Sequence, residues 1–332
     1  MHRTSLAFLA LALALALAGL ARPAAALELA LPIACEPGRD CWIPRYVDLD
    51  PGPGFRDWMC GALGADGHSG TDFAIPSLAA MRAGVPVLAA AAGRVRNVRD
   101  GMADVSVAVL GQAAIAGRNC GNGVAIAHGD GWETQYCHLR QGSLRVGPGD
   151  EVAAGEVLGL VGMSGEASFP HVHLSVRKDG AEVDPFRGLG AAPACGLGAA
   201  PLWRAELLPR LPYLPVMLIH AGFAPEAADW ARAQNGDYDR AELPASAPAL
   251  VLWFEAFALR AGDRVQWRIT APDGAVLLEE AKPEAKDQAQ AFRFAGRKRP
   301  AEGWAPGTYV GTVVIERPGA PRQEATRRVT LR

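Results

Sequence analysis

A charge excess of either sign is missing from this chain: 33 basic residues stand against 35 acidic ones, a formal net charge of −2 over 332 residues. That balance leaves no electrostatic footprint for nucleic acid or for an anionic membrane surface. Helical hydrophobic periodicity is largely absent, while Gly (38) and Pro (25) are abundant, which favours a β-rich fold of short strands and turns. No Cys-x-x-Cys pair occurs, so a zinc-cysteine cluster is disfavoured. Histidine is scarce as well, with seven in the whole chain.

The first 26 residues read as a secretory signal: His2 and Arg3, an apolar run from Leu6 to Leu20, then the small residues Ala24, Ala25 and Ala26. That run is shorter than the roughly twenty residues that span a bilayer, and no later stretch is a better candidate. No integral membrane segment is therefore expected after signal removal, and the mature protein is expected to be exported, periplasmic or extracellular. All six cysteines, Cys35, Cys41, Cys60, Cys120, Cys137 and Cys195, lie in the exported portion, so disulfides are expected. Cys120 and Cys137 flank a hairpin turning at Gly129-Asp130-Gly131 and make the best single pair.

Five segments follow from composition. After residues 1–26 comes a Cys/Pro/Gly-rich arm, 27–66, a stretch that cannot build a core alone and is placed to wall a groove or serve as a lead-in. Residues 67–195 read as strand and turn throughout, with strands at 85–91, 93–98, 105–110, 124–128, 133–139, 151–152, 157–162 and 171–177. Residues 196–248 read as a connector with one short helix from Pro225 to Gln234, closed by Asn235-Gly236. Residues 249–332 alternate apolar and polar side chains, as in Val265, Trp267 and Ile269, and suggest a small immunoglobulin-like β-sandwich. At about eighty-five residues it is long enough for a core of its own, with Trp304 expected inside it.

Four histidines and an aspartate fall in one stretch: His68 and Asp72, then His138, then His171 and His173. Successive side chains on a strand point to opposite faces, so His171 and His173 share one face while Val172, Leu174 and Val176 share the other. The apolar face anchors the strand and the imidazole face looks into a groove. Gly67 and Gly70 let the backbone turn so that His68 and Asp72 converge on one ion. Zinc accepts such nitrogen and oxygen ligands and keeps one position for water when catalytic. His68, Asp72 and one histidine of the pair would be the three ligands, leaving His138 and the other histidine to move a proton or stabilise an oxyanion in amide hydrolysis. His128, beside the hairpin turn, is expected to line the sheet, and His220 to be structural.

In these residues the chain resembles the lysostaphin-like zinc metallopeptidases, which cut peptide cross-links in bacterial peptidoglycan. The resemblance runs in order from Gly67 to about Phe186. It takes in His68-x-x-x-Asp72, Gly84 to Ala89 with Gly93-x-Val95, Gly123 to Ile126, Tyr136-x-His138-Leu139, Gly147 to Val152 with Gly155, and His171-x-His173. It implies a lysostaphin-like antiparallel β-sheet domain with a groove, Zn2+ held by His68, Asp72 and His173, and His138 and His171 as the catalytic histidines. Cys137 stands where a small residue is common and Ser175 where an aromatic is common, which bears on substrate fit. The implied function is an exported zinc endopeptidase acting on peptidoglycan peptides. The alternative is a catalytically silent scaffold that uses the groove to activate another cell-wall hydrolase, a possible enzyme partner.

Overall fold

The computed structural model describes residues 27–190 and 194–332, so the expected signal segment 1–26 lies outside the described residues. The fold is mainly β. Its first half is built on ten strands: β1 (Trp42–Arg45), β2 (Thr71–Ala74), β3 (Pro86–Leu88), β4 (Gly93–Arg99), β5 (Asn122–Gly129), β6 (Trp132–Leu139), β7 (Glu151–Val152), β8 (Val157–Leu160), β9 (His171–Lys178) and β10 (Ala181–Glu182). Eight of them form one antiparallel sheet in the order β1-β2-β9-β6-β5-β4-β7, with β10 against β9, while β3 and β8 make a separate ribbon. The helices here are short: α1 (Leu78–Ala83), α2 (Val107–Leu110) and α3 (Gln112–Ile115).

Strand β9 is central, and its alternation carries out the division seen in the sequence. Val172, Leu174 and Val176 are buried with Phe73 in the principal core, and the histidines occupy the opposite face. β5 and β6 are joined at Asp130-Gly131, both with positive φ (48° and 76°), the backbone sign that tight hairpins with right-handed twist require. Cys120 is bonded to Cys137, as expected from that hairpin, and the other disulfides are Cys35–Cys41 and Cys60–Cys195.

Two expected strands differ. Residues 85–91 contribute only β3. Residues 105–110 are helical at their end: the Ser106 side chain accepts the Ala108 N–H at the N-cap, and Gly111 at φ 81° ends the turn. A local cap therefore overrides the β preference of three valines.

The arm is part of the fold rather than an appendage. β1 adds the edge strand beside β2, and Leu29, Ile33, Tyr46 and Trp58 enter the principal core. Tyr46 packs on Trp58, Phe186 and Tyr213 with ring centroids 6.0, 5.3 and 5.7 Å apart.

The second half contains α4 (Trp230–Asn235) and eight strands: β11 (Met217–Ala224), β12 (Glu242–Leu243), β13 (Ala249–Leu259), β14 (Arg264–Thr270), β15 (Val276–Pro283), β16 (Gln288–Lys298), β17 (Gly307–Glu316) and β18 (Gln323–Leu331). They form a three-stranded sheet, β11-β13-β16, and a five-stranded sheet, β12-β18-β17-β14-β15. Inner-face residues of both sheets, among them Leu252, Phe254, Trp267 and Val313, share one core. Trp304 is buried there and donates its indole N–H to the Ala247 carbonyl. The segment expected as a connector holds more than a helix, because β11 pairs along its length with β13. Its helix starts later than expected, at an Asp229 cap, and stops at Gly236 in the left-handed conformation. His220 on β11 lies edge-on to Trp253 and 3.6 Å from Asp239, a packing position remote from the four clustered histidines.

The two halves meet through apolar contacts and through α1 and α4. Met217, Ile219 and Phe257 belong to the core of the first half, and Gln234 accepts the Leu78 N–H.

Burial without a full set of partners tunes one carboxyl group. Asp184 accepts the Phe186 and Arg187 N–H groups through Oδ1, while its Oδ2 is buried without a partner. Burial is the main cause that pushes its pKa up to about 6. A folded pKa above the unfolded one means that its contribution to stability is complete below pH ~4 and is lost as pH rises through about 6. Asp184→Asn keeps the Oδ1 acceptor and removes the charge. Unfolding curves should show the variant more stable than the parent at pH 7, by on the order of 2–3 kcal/mol, with the gap closing below pH ~4.

Candidate metal centre

Strand pairing places the acidic ligand candidate. Asp72 on β2 lies directly opposite His173 on β9, and Ala74 lies opposite His171. Directly opposed residues project to the same face at close range, so Asp72 and His173 meet without any loop rearrangement. The Asp72 Oδ1 is 2.8 Å from His173 Nδ1 and 3.2 Å from His68 Nε2, and its Oδ2 is 3.6 Å from His171 Nε2. His68 comes from the loop before β2, in keeping with a turn at Gly67 and Gly70. Gly70 makes the approach possible, since a Cβ there would stand 2.6 Å from His173 Nε2 and 2.5 Å from the Leu174 carbonyl oxygen.

His138 reaches the cluster by a different device. Between the pairs Asn122–Leu139 and Val124–Tyr136 the register shifts, so β6 carries an extra residue, and His138 takes a positive φ of 65°. Such a bulge re-aims a side chain at a local conformational cost. The surroundings hold it: the His138 N–H bonds the Cys120 carbonyl at 2.8 Å, and the adjacent Cys137 is tied to Cys120. The His138 ring lies 4.6 Å from the His171 ring and 5.9 Å from the His173 ring.

Each imidazole has one nitrogen engaged away from the centre. Nδ1–H of His68 donates to the Tyr46 carbonyl, that of His138 to the Ser164 carbonyl, and that of His171 to the Phe169 carbonyl, at 2.7, 2.7 and 2.9 Å. His173 Nε2 is 3.0 Å from the Ser175 hydroxyl, which can take its proton. When the rings are neutral, those bonds select the tautomers whose inward nitrogens carry lone pairs. Around Asp72 the arrangement is a set of acceptors facing a carboxylate, with Oδ2 buried and unpartnered. A cation resolves that conflict, and His68, Asp72 and His173 offer ligand atoms all within 4.8 Å of one another. The residues therefore fit a divalent metal with mixed nitrogen and oxygen ligands.

Electrostatics agree with the geometry. Burial acts to raise the Asp72 pKa, yet the surrounding imidazoles, His68 foremost, hold it well below the usual carboxylate range. Burial works to lower the His68 pKa, but the Asp72 carboxylate outweighs it and the net shift is upward. His138 is pushed well below its ordinary value by burial, then by His171 and His173, and burial lowers His171 as well.

The cluster opens on a cavity of about 360 Å³. Sequence reasoning missed several of its walls: Arg45 from the arm, Asn119, Gln135 and Glu166. Arg45 and Gln135 are placed by strand pairing, and Asn119 and Glu166 by loops, rather than by any local pattern. His128 lies elsewhere, bonded to the Ala92 carbonyl and to the Thr134 hydroxyl, as expected of a residue lining the sheet.

Residues 66–185 match peptidase family M23. This segment is an M23 peptidase domain. Over 120 residues it is 34% identical to the DD-carboxypeptidase/endopeptidase Mpg of Neisseria meningitidis, covering 36% of this chain and 22% of that protein. It is 30% identical to the peptidoglycan DD-endopeptidase ShyA of Vibrio cholerae, again over 36% of this chain and 22% of the relative. The chain thus spans about a fifth of the length of the curated relatives it matches. Among solved structures, the catalytic domain of the prophage-encoded M23 protein EnpA from Enterococcus faecalis is 26% identical, with a TM-score of 0.31 over 48% of this chain and 94% of that one.

Because Gly70 leaves room for His173, Gly70→Ala should weaken metal retention without removing a ligand. Metal analysis after dialysis should show occupancy well below the parent, roughly the 10- to 100-fold affinity loss typical of disturbing a ligand's support. Parental occupancy in the variant would show that the contact does not position the ring.

Proposed function

We propose that this protein is an exported zinc endopeptidase that hydrolyses amide bonds in peptidoglycan stem peptides or cross-links. The observation that carries the reading is the convergence of His68, Asp72 and His173 around a buried, partnerless carboxylate oxygen inside an M23 domain. Those three side chains would hold zinc, which when bound would supply Lewis acidity.

His138 and His171 do the remaining work. Each keeps Nδ1–H on a backbone carbonyl and leaves Nε2 free towards the cavity. Their lowered pKa values keep both rings neutral near pH 7, so one can accept a proton from the attacking water while the other steadies developing negative charge or returns the proton to the leaving amine. Peptidoglycan as substrate is supported by the names of the Neisseria and Vibrio relatives. Export is supported by the three disulfides together with the N-terminal signal pattern, since such bonds persist in oxidising compartments. Among the described residues, no helix is long and apolar enough to cross a membrane.

Purified protein incubated with peptidoglycan should release peptide fragments whose masses mark the bond cut, and a chelator should stop the release. Asp72→Ala and His173→Ala should each lose zinc. His171→Ala should retain it while turnover falls by roughly 10²–10⁴-fold. Release that ignores the chelator, or full zinc occupancy in Asp72→Ala, would overturn the assignment.

A further inference from the structure

The cavity walls carry five charged side chains besides the imidazoles: Arg45, Asp66, Asp72, Glu166 and Arg177. Four are accounted for. Asp72 is ringed by histidines, Glu166 accepts from Gln112 and Asn119, Arg177 is engaged by Glu133 and Gln135, and Asp66 sits exposed at the rim. Arg45 is different. Its guanidinium lies over the Phe169 ring, 5.5 Å from the centroid, and among the described residues no carboxylate or carbonyl receives its N–H groups.

Its position is set by the fold. Arg45 ends β1 and is the register partner of Asp72 on β2, so the cation is delivered beside the metal ligands by strand pairing. The Phe169 ring beneath it is fixed from both sides, 4.7 Å from the His171 ring and 4.9 Å from the Phe257 ring. Arg45 also lines a second cavity of about 320 Å³, with Phe55, Leu63, Phe257 and Arg260, and so stands where the two cavities adjoin. A half-buried guanidinium with unspent, coplanar donors matches a carboxylate, which it can bind through two parallel hydrogen bonds.

We infer that Arg45 is a specificity-determining residue that binds a free carboxylate of the substrate next to the scissile amide, directing the site to acidic peptides. The inference rests on the peptidase reading of the site, and it adds a residue outside the segment matched to the family. Neutral peptides, or peptides with that carboxylate amidated, leave the guanidinium without its partner and bind less well.

The test uses two synthetic peptides that differ only in a carboxylate or a carboxamide beside the susceptible amide. Zinc-loaded parent protein should favour the carboxylate form by roughly 10- to 100-fold in kcat/KM, mainly through KM, the range expected for a charge-assisted hydrogen-bonded pair. Arg45→Met should erase the preference, and Arg45→Lys should restore part of it, because a point charge replaces a planar fork. Calorimetry on metal-stripped protein should show the same ranking in binding, independent of turnover. If Arg45→Met fails to fold, the parent's own preference and Arg45→Lys decide the matter. Equal binding and equal cleavage of both peptides by the parent would overturn the role of Arg45. If the parent cleaves neither peptide yet still binds the carboxylate form more tightly, the peptidase reading falls and the subsite stands.

Discussion

A buried carboxylate is expensive unless something positive stands beside it, and Asp72, only 1% exposed, sets the terms for everything around it. Three imidazoles approach it from a loop and a neighbouring strand, each with its far nitrogen already committed. Such a group is an incomplete coordination sphere: its components repel one another until a proton or a cation is supplied. The strands β2 and β9 cannot relax away from the conflict, because the same residues that place Asp72 and His173 opposite each other bury Phe73, Val172 and Leu174 on the other side. Hydrophobic burial on one face thereby holds polar frustration on the other, and a bound cation would relieve it.

His138 shows the same economy by another route. A left-handed conformation at a histidine costs on the order of 1 kcal/mol or more. Three restraints converge on that turn: the Cys120–Cys137 bond, the backbone bond to Cys120 and the Ser164 carbonyl that fixes the ring. Ser164 is itself locked, since its hydroxyl donates to the Leu139 carbonyl and accepts the Asn122 N–H. The disulfide therefore bears on chemistry as well as on stability, by holding a bulge that aims an imidazole.

Legibility in the sequence followed the range of the interactions. The His171-Val172-His173 alternation was readable because period two is a local property, and the Cys120–Cys137 pair because a hairpin turn lies between its members. Arg45 was not, since its closeness to Asp72 exists only through the pairing of β1 with β2. β11 escaped notice for a related reason. His220 and Gly222 interrupt its apolar run, a register shift falls between Leu218 and His220, and the Cβ-free Gly222 is needed where the Trp253 ring crosses. Residues 105–110 misled in the opposite direction, as their β-branched content was overruled by a single capping serine.

The second half of the chain reaches the candidate metal centre by way of Phe257. β13 is buried on both faces, Leu252 and Phe254 towards the sheet-to-sheet core and Trp253 towards α4, and its end delivers Phe257 into the core of the first half. There Phe257 supports Phe169, whose ring packs on His171 and lies beneath Arg45. Interiors packed to crystal density transmit displacement rather than absorb it. The C-terminal sheets are thus mechanically continuous with the imidazole that faces Asp72 and with the cation at the head of the adjoining cavity. A sheet that carries none of the clustered histidines still shapes the site, by supporting the aromatic ring on which His171 and Arg45 pack.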